Sequence, residues 1–322
     1  MSYCKNNILI LSASRKTVLC HWFLKAATKF GIGVLGTDIN PNAKALSLLD
    51  GFVRLPRLNS PDFLNDLLST IDKNNIKLIV PTREEELIHF SGIIDTLEKS
   101  ACFVLCNRPE ITKTLIDKGE FTNYCISELG FYNLHIVKSP FEARDDHFPL
   151  FFRGAKKGSS LKIRISNKEE LQAAFRLFNN GIATTYLEGQ EISVDTYVSR
   201  EGRIVYIVPR SRDLVLGGES LVTTTIDSLS CENVTKQFLQ KSGIKGPSVL
   251  QGMVNGDVFT PFEINLRFGG ASSLSFEAAY SGPELVLREY VLGEELTETY
   301  KHELHLELFK DFKEIFTSNL HD

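Results

Sequence analysis

The residues best suited to chemistry lie in one run, Phe262-Glu263-Ile264-Asn265-Leu266-Arg267-Phe268-Gly269-Gly270. Read as a strand, it alternates: Glu263, Asn265 and Arg267 line one face, and Ile264, Leu266 and Phe268 line the other. The apolar face packs. The polar face presents a carboxylate, an amide oxygen and a guanidinium along about 13 Å. Two hard oxygen donors beside a planar cation suit magnesium bound to a polyphosphate. An amphipathic strand with a solvated face has the same pattern, but the preceding segment favours the metal. Ser248 to Val254 reads as a partner strand, and Asn255-Gly256-Asp257 is a turn signal. With a three-residue turn, Val254 faces Val258 and Gln251 faces Pro261. Gln251 then lies diagonal to Glu263 on the same face, close enough to share a cation. A two-residue turn puts Gln251 on the wrong face. Pro261 lacks a ladder donor and implies an edge position or a bulge.

The elements that must position this row change character along the chain. Up to about residue 108, strands and helices alternate: strand Asn7–Leu11, helix Lys16–Lys29, strand Gly33–Thr37, helix Pro61–Asn74, strand Ile76–Val80, helix Glu84–Leu97, strand Cys102–Leu105. Such alternation implies a parallel sheet covered on both faces. Asp38, after the second strand, is placed like a ribose-binding acid. The first turn, Ser12-Ala13-Ser14-Arg15-Lys16-Thr17, lacks the glycines of a dinucleotide site, so a dehydrogenase is the weakest reading. Helical signals cover Pro109–Leu129. A small unit follows: strand Leu150–Gly154, a glycine-serine-lysine loop Ala155–Lys162, strand Lys162–Ile165, helix Lys168–Phe178 and strand Ile182–Leu187. Antiparallel strands dominate the remainder (Glu191–Val198, Arg203–Pro209, Leu221–Thr225 and the hairpin), with helix Ser230–Ser242 interposed. Glu303–Phe316 reads equally as strand or helix. The expected domains are 1–108, 109–187 and 188–322.

Composition excludes several classes. The 322 residues are 43% hydrophobic and 24% charged with net charge −4; a general nucleic-acid binder would carry a basic excess. No apolar run approaches the roughly 20 residues of a bilayer span. Asn6–Leu11 is too short for a signal peptide, and Arg15 and Lys16 follow it. Cys4, Cys20, Cys102, Cys106, Cys125 and Cys231 form no Cys-x-x-Cys pair, and no histidine lies at metal-ligand spacing from them. Free thiols in a reducing cytosol are expected. His302 and His305 are close in sequence, but on a terminal segment they read as a polar face.

Taken in order, these pieces resemble the ATP-grasp superfamily, in its carbamoyl-phosphate-synthase-like branch, over essentially the whole chain. Glu263-Ile264-Asn265-Leu266-Arg267 is similar to the family's Glu-x-Asn-x-Arg, with Gln251 at the position of the earlier metal ligand. The resemblance implies a Rossmann-like preliminary domain, a small lid domain and a larger antiparallel-sheet domain. It implies ATP and two magnesium ions, or manganese in their place, held by Gln251, Glu263 and Asn265, with Arg267 on the reacting phosphoryl group. Arg153 closes an apolar strand, where it could merely snorkel, but matches the family's phosphate-contacting cation. Lys156-Lys157-Gly158-Ser159-Ser160 has backbone donors and cations suited to phosphate oxygens, so Lys157, Ser159 and Ser160 are candidates. Family lids carry several glycines; this one has a single Gly158. Lys118, after Asp117, resembles another phosphate-contacting cation. Backbone groups of Tyr186 and Leu187 would meet the adenine edge, and Glu191 would accept both ribose hydroxyls. Related ligases place a basic residue near Arg210 and Arg212 against the transferring groups; a structural salt bridge is the alternative for either. Gly269–Ser273 would border the acceptor pocket.

The implied activity is a carboxylate–amine ligase acting through an acylphosphate and releasing ADP and phosphate, with Arg267, Arg153 and Arg210 stabilising the moving phosphoryl group and Glu219 as a guess for the general base. The alternatives are a carbamate- or bicarbonate-type small-acid phosphorylating enzyme and a non-catalytic nucleotide-binding regulator. Partners would be a small carboxylate and an amine, with neither nucleic acid nor membrane. The expected location is cytoplasmic, and a homodimer is compatible with the reading.

Overall fold

Strand Asn7–Ile10 is buried on both faces, with Leu9 in one apolar cluster and Ile8 and Ile10 in another, as a central parallel strand must be. The computed structural model describes residues 5–40, 44–156 and 159–311. The five-stranded sheet around this strand runs Gly51–Phe52, Gly33–Gly36, Asn7–Ile10, Ile76–Val80, Phe103–Val104, every pairing parallel. The chain builds outward on one side of Asn7–Ile10, then returns to add Ile76–Val80 on the other. The strand order therefore reverses between these two neighbours. The helix expected over Glu84–Leu97 is two, Glu84–Ser91 and Ile94–Lys99, parted at Gly92.

A lid sheet follows, in the order Ile136–Val137, Ile182–Thr185, Leu150–Lys156, Ser159–Ile165. Helix Lys168–Leu177 closes its core of Val137, Leu150, Phe152, Ile165, Leu171 and Ala183. Here the structure corrects the expected loop. Ala155 pairs with Ser160 and Lys156 with Ser159, so a hairpin ladder takes up backbone that a free phosphate loop would present. Lys157 lies outside the described residues.

The last region holds a four-stranded antiparallel sheet, Ile204–Ser211, Gln190–Val198, Gly246–Asn255, Val258–Asn265. Helices Lys118–Leu129 and Leu229–Ser242 cover one face through Phe121, Cys125 and Phe238, packed on Ile192, Val194, Leu250 and Ile264. The other face is polar at Ser193, Asp195, Gln251 and Glu263. A three-stranded sheet (Leu214–Leu216, Glu219–Thr224, Glu307–Phe309) stands beside it. Glu307–Phe309 is thus a strand, and the stretch read as ambiguous is resolved as far as residue 311. Helices Ser273–Ala278 and Gly282–Tyr290 form where no helix was expected. Phe268, Phe276, Leu285 and Leu287 join Phe23, Val34 and Tyr206 in a core shared with the parallel sheet.

The hairpin register overturns one expectation and rescues its consequence. Asn255 pairs with Val258, so the turn holds two residues, Gly256 and Asp257. Left alone, that register would oppose Gln251 to Phe262. The ladder slips between Gln251 and Gly252: Gly252 pairs with Pro261 and Gln251 with Glu263, leaving Phe262 as the extra residue of a bulge. Gln251 and Glu263 therefore sit directly opposite on one face.

Gly189 enters the Gln190–Val198 strand at φ 124°, and a Cβ there would lie 2.1 Å from the Val254 carbonyl oxygen. Gly189→Ala should cost roughly 1–3 kcal/mol through backbone strain and more through that collision. Gly256→Ala, with φ 59° and open space, should cost less. Urea unfolding midpoints of both variants check the ordering.

Candidate active site

Three elements meet on one carboxylate. Glu263 Oε2 accepts from Lys118 Nζ at 2.9 Å and from Arg153 Nη1 at 3.5 Å. Lys118 opens helix Lys118–Leu129, whose N-cap Asp117 accepts from the Gly119 and Glu120 amides at 2.9 Å; capping fixes the turn and so the origin of the lysine. Arg153 comes from the lid, its guanidinium carbon 5.6 Å from the Phe151 ring and 5.9 Å from Phe262, the bulged residue. Burial pushes the Glu263 pKa up, but Lys118 and Arg153 outweigh it and hold the carboxyl below its ordinary 4.5. Glu263 is ionised at neutral pH.

The row continues along the hairpin. Gln251 Nε2 donates to Ser193 Oγ at 3.2 Å, which turns the amide oxygen away as the ligating atom. Asn265 Oδ1 accepts from Arg267 Nη2 at 3.2 Å, and Arg267 Nη1 donates to the Phe268 carbonyl at 3.1 Å. Arg153 Nε and Arg267 Nε are buried without a hydrogen-bond partner among the described residues. A buried guanidinium N–H is costly unless an acceptor meets it, so both point to an anion as the natural occupant. The oxygen set of Gln251, Glu263 and Asn265 carries one full negative charge. Magnesium is held by such sparse protein sets when phosphates complete its shell. The donor set fits that ion, with Asn265 sharing an oxygen that Arg267 also uses. Among the described residues, no cluster of three or more His, Cys, Asp or Glu side chains offers a rival metal site.

Arg153, Gln251, Glu263, Asn265 and Arg267 line a cavity of about 770 Å³ between lid, body sheet and parallel-sheet region. At one end are Thr184, Thr185, Tyr186, Leu187, Glu191, Phe151 and Met253. The Tyr186 N–H already donates to the Pro149 carbonyl at 3.1 Å, so that residue can offer an adenine edge only its carbonyl. Glu191 Oε1 lies 3.0 Å from Arg212 Nε in an ion pair without hydrogen-bond alignment. Arg212 Nη2 also donates to the Gly218 carbonyl at 3.0 Å. A ribose at Glu191 would share that carboxylate with Arg212.

Arg210, expected on the moving phosphoryl group, is held in the wall instead. Its Nε donates to Asp195 Oδ2 at 2.5 Å, and both side chains are 3% exposed. Asp195 also accepts from Ser272 Oγ and, at 3.0 Å, from Ser275 Oγ; the Gly269 amide donates to Ser272 Oγ at 2.8 Å. Through this hub Arg210 fixes the Gly269–Ser273 loop, whose Gly269, Gly270 and Ala271 line the cavity. This is the structural salt bridge that was the alternative reading for Arg210. Ser159 and Ser160 open the lid strand Ser159–Ile165. Asp38 is also committed, accepting from Ser14 N at 3.2 Å and Ser14 Oγ at 2.5 Å.

Sequence reasoning missed Lys16, Glu84 and Lys162 in the cavity lining. Lys162 had a signal, closing the lysine-bearing loop read over Ala155–Lys162. Lys16 and Glu84 had none.

Glu263 generates a pH prediction. A carboxyl whose folded pKa is depressed adds stability above its unfolded value, lost as pH falls through the folded value. Wild-type stability should fall more steeply below pH 4.5 than that of Glu263→Gln; parallel curves in urea titrations would dismiss the ionised bridge. Arg210→Met should destabilise by about 3–5 kcal/mol, because it strands buried Asp195. Full stability with lost activity would return Arg210 to the chemistry.

Two family models match the sequence. One is described as the PylC-like N-terminal domain, over residues 8–105, and the other as the ATP-grasp domain in the biosynthetic pathway with Ter operon, over residues 178–310. No individually curated protein matches it. Among solved structures, the L-amino acid ligase of Bacillus licheniformis is similar with a TM-score of 0.67 and 15% identity, over 90% of this chain and 75% of that one. The biotin carboxylase of Campylobacter jejuni gives 0.70 and 12%, over 92% and 73%. The N5-carboxyaminoimidazole synthetase of Staphylococcus aureus gives 0.68 and 15%, over 94% and 81%. At such identities the structural likeness speaks for the fold, and the family models speak for the sequence. The parallel sheet, the smaller sheet and the Gln251–Glu263 hairpin occur in one order: the chain has the ATP-grasp fold, and residues 178–310 match an ATP-grasp family model.

Proposed function

We propose that the protein is an ATP- and magnesium-dependent ligase joining a carboxylate to an amine through an acylphosphate, with release of ADP and phosphate. The observation that carries the reading is the row Gln251, Glu263, Asn265 and Arg267 lining one cavity with Arg153, Glu263 paired to Lys118 and Arg153, and buried guanidinium nitrogens without an acceptor among the described residues. The solved relatives, named as ligases, a carboxylase and a synthetase, support it.

The triphosphate would lie between the lid and the hairpin, its phosphates on Lys118 and Arg153, its base between Phe151, Leu187 and Met253. Gln251, Glu263 and Asn265 would hold magnesium, which when bound neutralises and templates the β- and γ-phosphates. An oxygen of the acid attacks the γ-phosphorus, the bond to the β–γ bridging oxygen breaks, and ADP leaves with that electron pair. Arg267, fixed by Asn265 and the Phe268 carbonyl, is placed to meet charge on the moving phosphoryl group. The amine nitrogen then attacks the acyl carbon; inorganic phosphate departs with the C–O electrons, and the nitrogen gives up a proton. Glu219, an exposed carboxylate on the cavity wall 3.3 Å from Lys310 Nζ, is a candidate to take it. Lid closure excludes water, which would otherwise hydrolyse the acylphosphate.

Arg267→Ala should lower kcat by about 10²–10³, the usual loss for one preorganised donor. Glu263→Ala should abolish acid-dependent ADP release. Undiminished turnover by Glu263→Ala would remove the metal assignment, and AMP with pyrophosphate as products would indicate an adenylating ligase.

A further inference from the structure

The end of the cavity beyond Arg267 is built by the parallel-sheet region. Lys16 follows strand Asn7–Ile10, and Glu84 follows strand Ile76–Val80. These strands are hydrogen-bonded neighbours, and they are the pair between which the strand order reverses. Loops leaving the carboxyl ends of strands at such a switch point diverge to opposite sides and leave a crevice where ligands bind in open α/β sheets. Here the crevice opens into the cavity that holds Arg267, and both loops reach its lining.

The two loops are locked together. Ser12 Oγ donates to Glu86 Oε1 at 2.5 Å, and the Thr82 and Arg83 amides donate to Glu86 Oε2 at 2.7 and 3.1 Å. Thr82 Oγ1 donates to the Leu11 carbonyl at 3.0 Å. Ser12 is held at φ 45°, ψ 45°, a strained setting for a non-glycine residue. Buried Glu86 is thus a strut that sets Lys16 on one lip and Glu84 on the other.

The charges in this crevice are unmatched in a telling way. Neither Lys16 nor Arg267 makes an ion pair within 4 Å among the described residues, and neither does Glu84. Burial and the neighbouring Arg267 push the Lys16 pKa down. Burial lowers that of Arg267 as well, and Glu84 is the carboxylate that most opposes it. Glu219 and Glu86 oppose this for both cations without pairing to either, so an anion seated between Lys16 and Arg267 would be favoured. A carboxylate across the crevice calls for a cation in turn.

We propose that this crevice is the acid-substrate subsite and that it selects a zwitterion: the carboxylate of an amino acid sits between Lys16 and Arg267, and its ammonium group rests on Glu84. The inference rests on the ligase reading for its chemistry. Arg267 is shared, so the bound carboxylate lies beside the phosphoryl group it attacks. Lys16 and Glu84 bind and orient; they need not touch the reacting phosphorus.

The test separates the subsite from the ligase reading by measuring binding without turnover. Common L- and D-amino acids, and for each the acid lacking the amino group, are titrated calorimetrically onto the full chain with magnesium and a non-hydrolysable ATP analogue. At least one amino acid should bind about tenfold or more tightly than its des-amino acid, the scale of one charge-assisted contact. Glu84→Gln should reduce that ratio about tenfold, and Lys16→Met should weaken both members of the pair. Unfolding midpoints identify any variant that is misfolded, and Glu84→Ala then replaces Glu84→Gln. The proposal is overturned if no amino acid binds, if des-amino acids bind equally well, or if Glu84→Gln and Glu84→Ala keep the ratio. ADP release is assayed separately with the same panel. An amino acid that binds with this preference and yields no ADP would sink the ligase reading and leave the subsite standing.

Discussion

One ionised carboxylate holds the site together. Glu263 belongs to the body hairpin, Arg153 to the lid and Lys118 to the helix that links the regions, and all three meet at a single oxygen. Removing such a group from water is costly, and here two cations more than compensate, as the depressed pKa records. The same cations suit phosphate oxygens. A polyphosphate entering the cavity therefore offers Lys118 and Arg153 a second partner and frees carboxylate oxygen for a metal. On the proposed reading, the contacts seen at Glu263 and those to a nucleotide compete for the same atoms.

Around that carboxylate the cavity divides by chemistry. One end is aromatic and apolar, with Phe151, Leu187 and Met253, and suits a base. The middle is cationic. The far end, between Lys16 and Glu84, carries both signs. The Asp195 hub, with Arg210, Ser272 and Ser275, holds the small-residue loop against the middle.

What was legible in the sequence was local. The Glu-x-Asn-x-Arg alternation, the lone Gln251 upstream and the cations Lys118 and Arg153 could be read because strand parity and chain order carry the information. The hairpin shows the limit: a two-residue turn and a bulge were together read as a three-residue turn, since both place Gln251 on the face of Glu263. Which of the two readings of Arg210 holds could not be read, because its partner Asp195 sits fifteen residues upstream and only the pairing of adjacent strands brings them together. Lys16 and Glu84 are sixty-eight residues apart and meet only through sheet order. Helix Ser273–Ala278 was hidden behind the small residues of Gly269–Ser273 and helix Gly282–Tyr290 behind its opening Gly282-Pro283; Phe276, Leu285 and Leu287 gain a core to pack in only through the fold.

The bulge at Phe262 has a meaning apart from the cavity. Val258–Asn265 is the outer strand of its sheet, and an open strand edge is a template on which another chain can grow. Pro261 lacks an amide hydrogen to offer, and the neighbouring bulge breaks the regular spacing a foreign strand would have to match. The irregularity that aims Glu263 thereby also makes this edge strand a poor seed for self-association. A variant that straightened it would be at risk in concentrated solution before its chemistry was ever assayed.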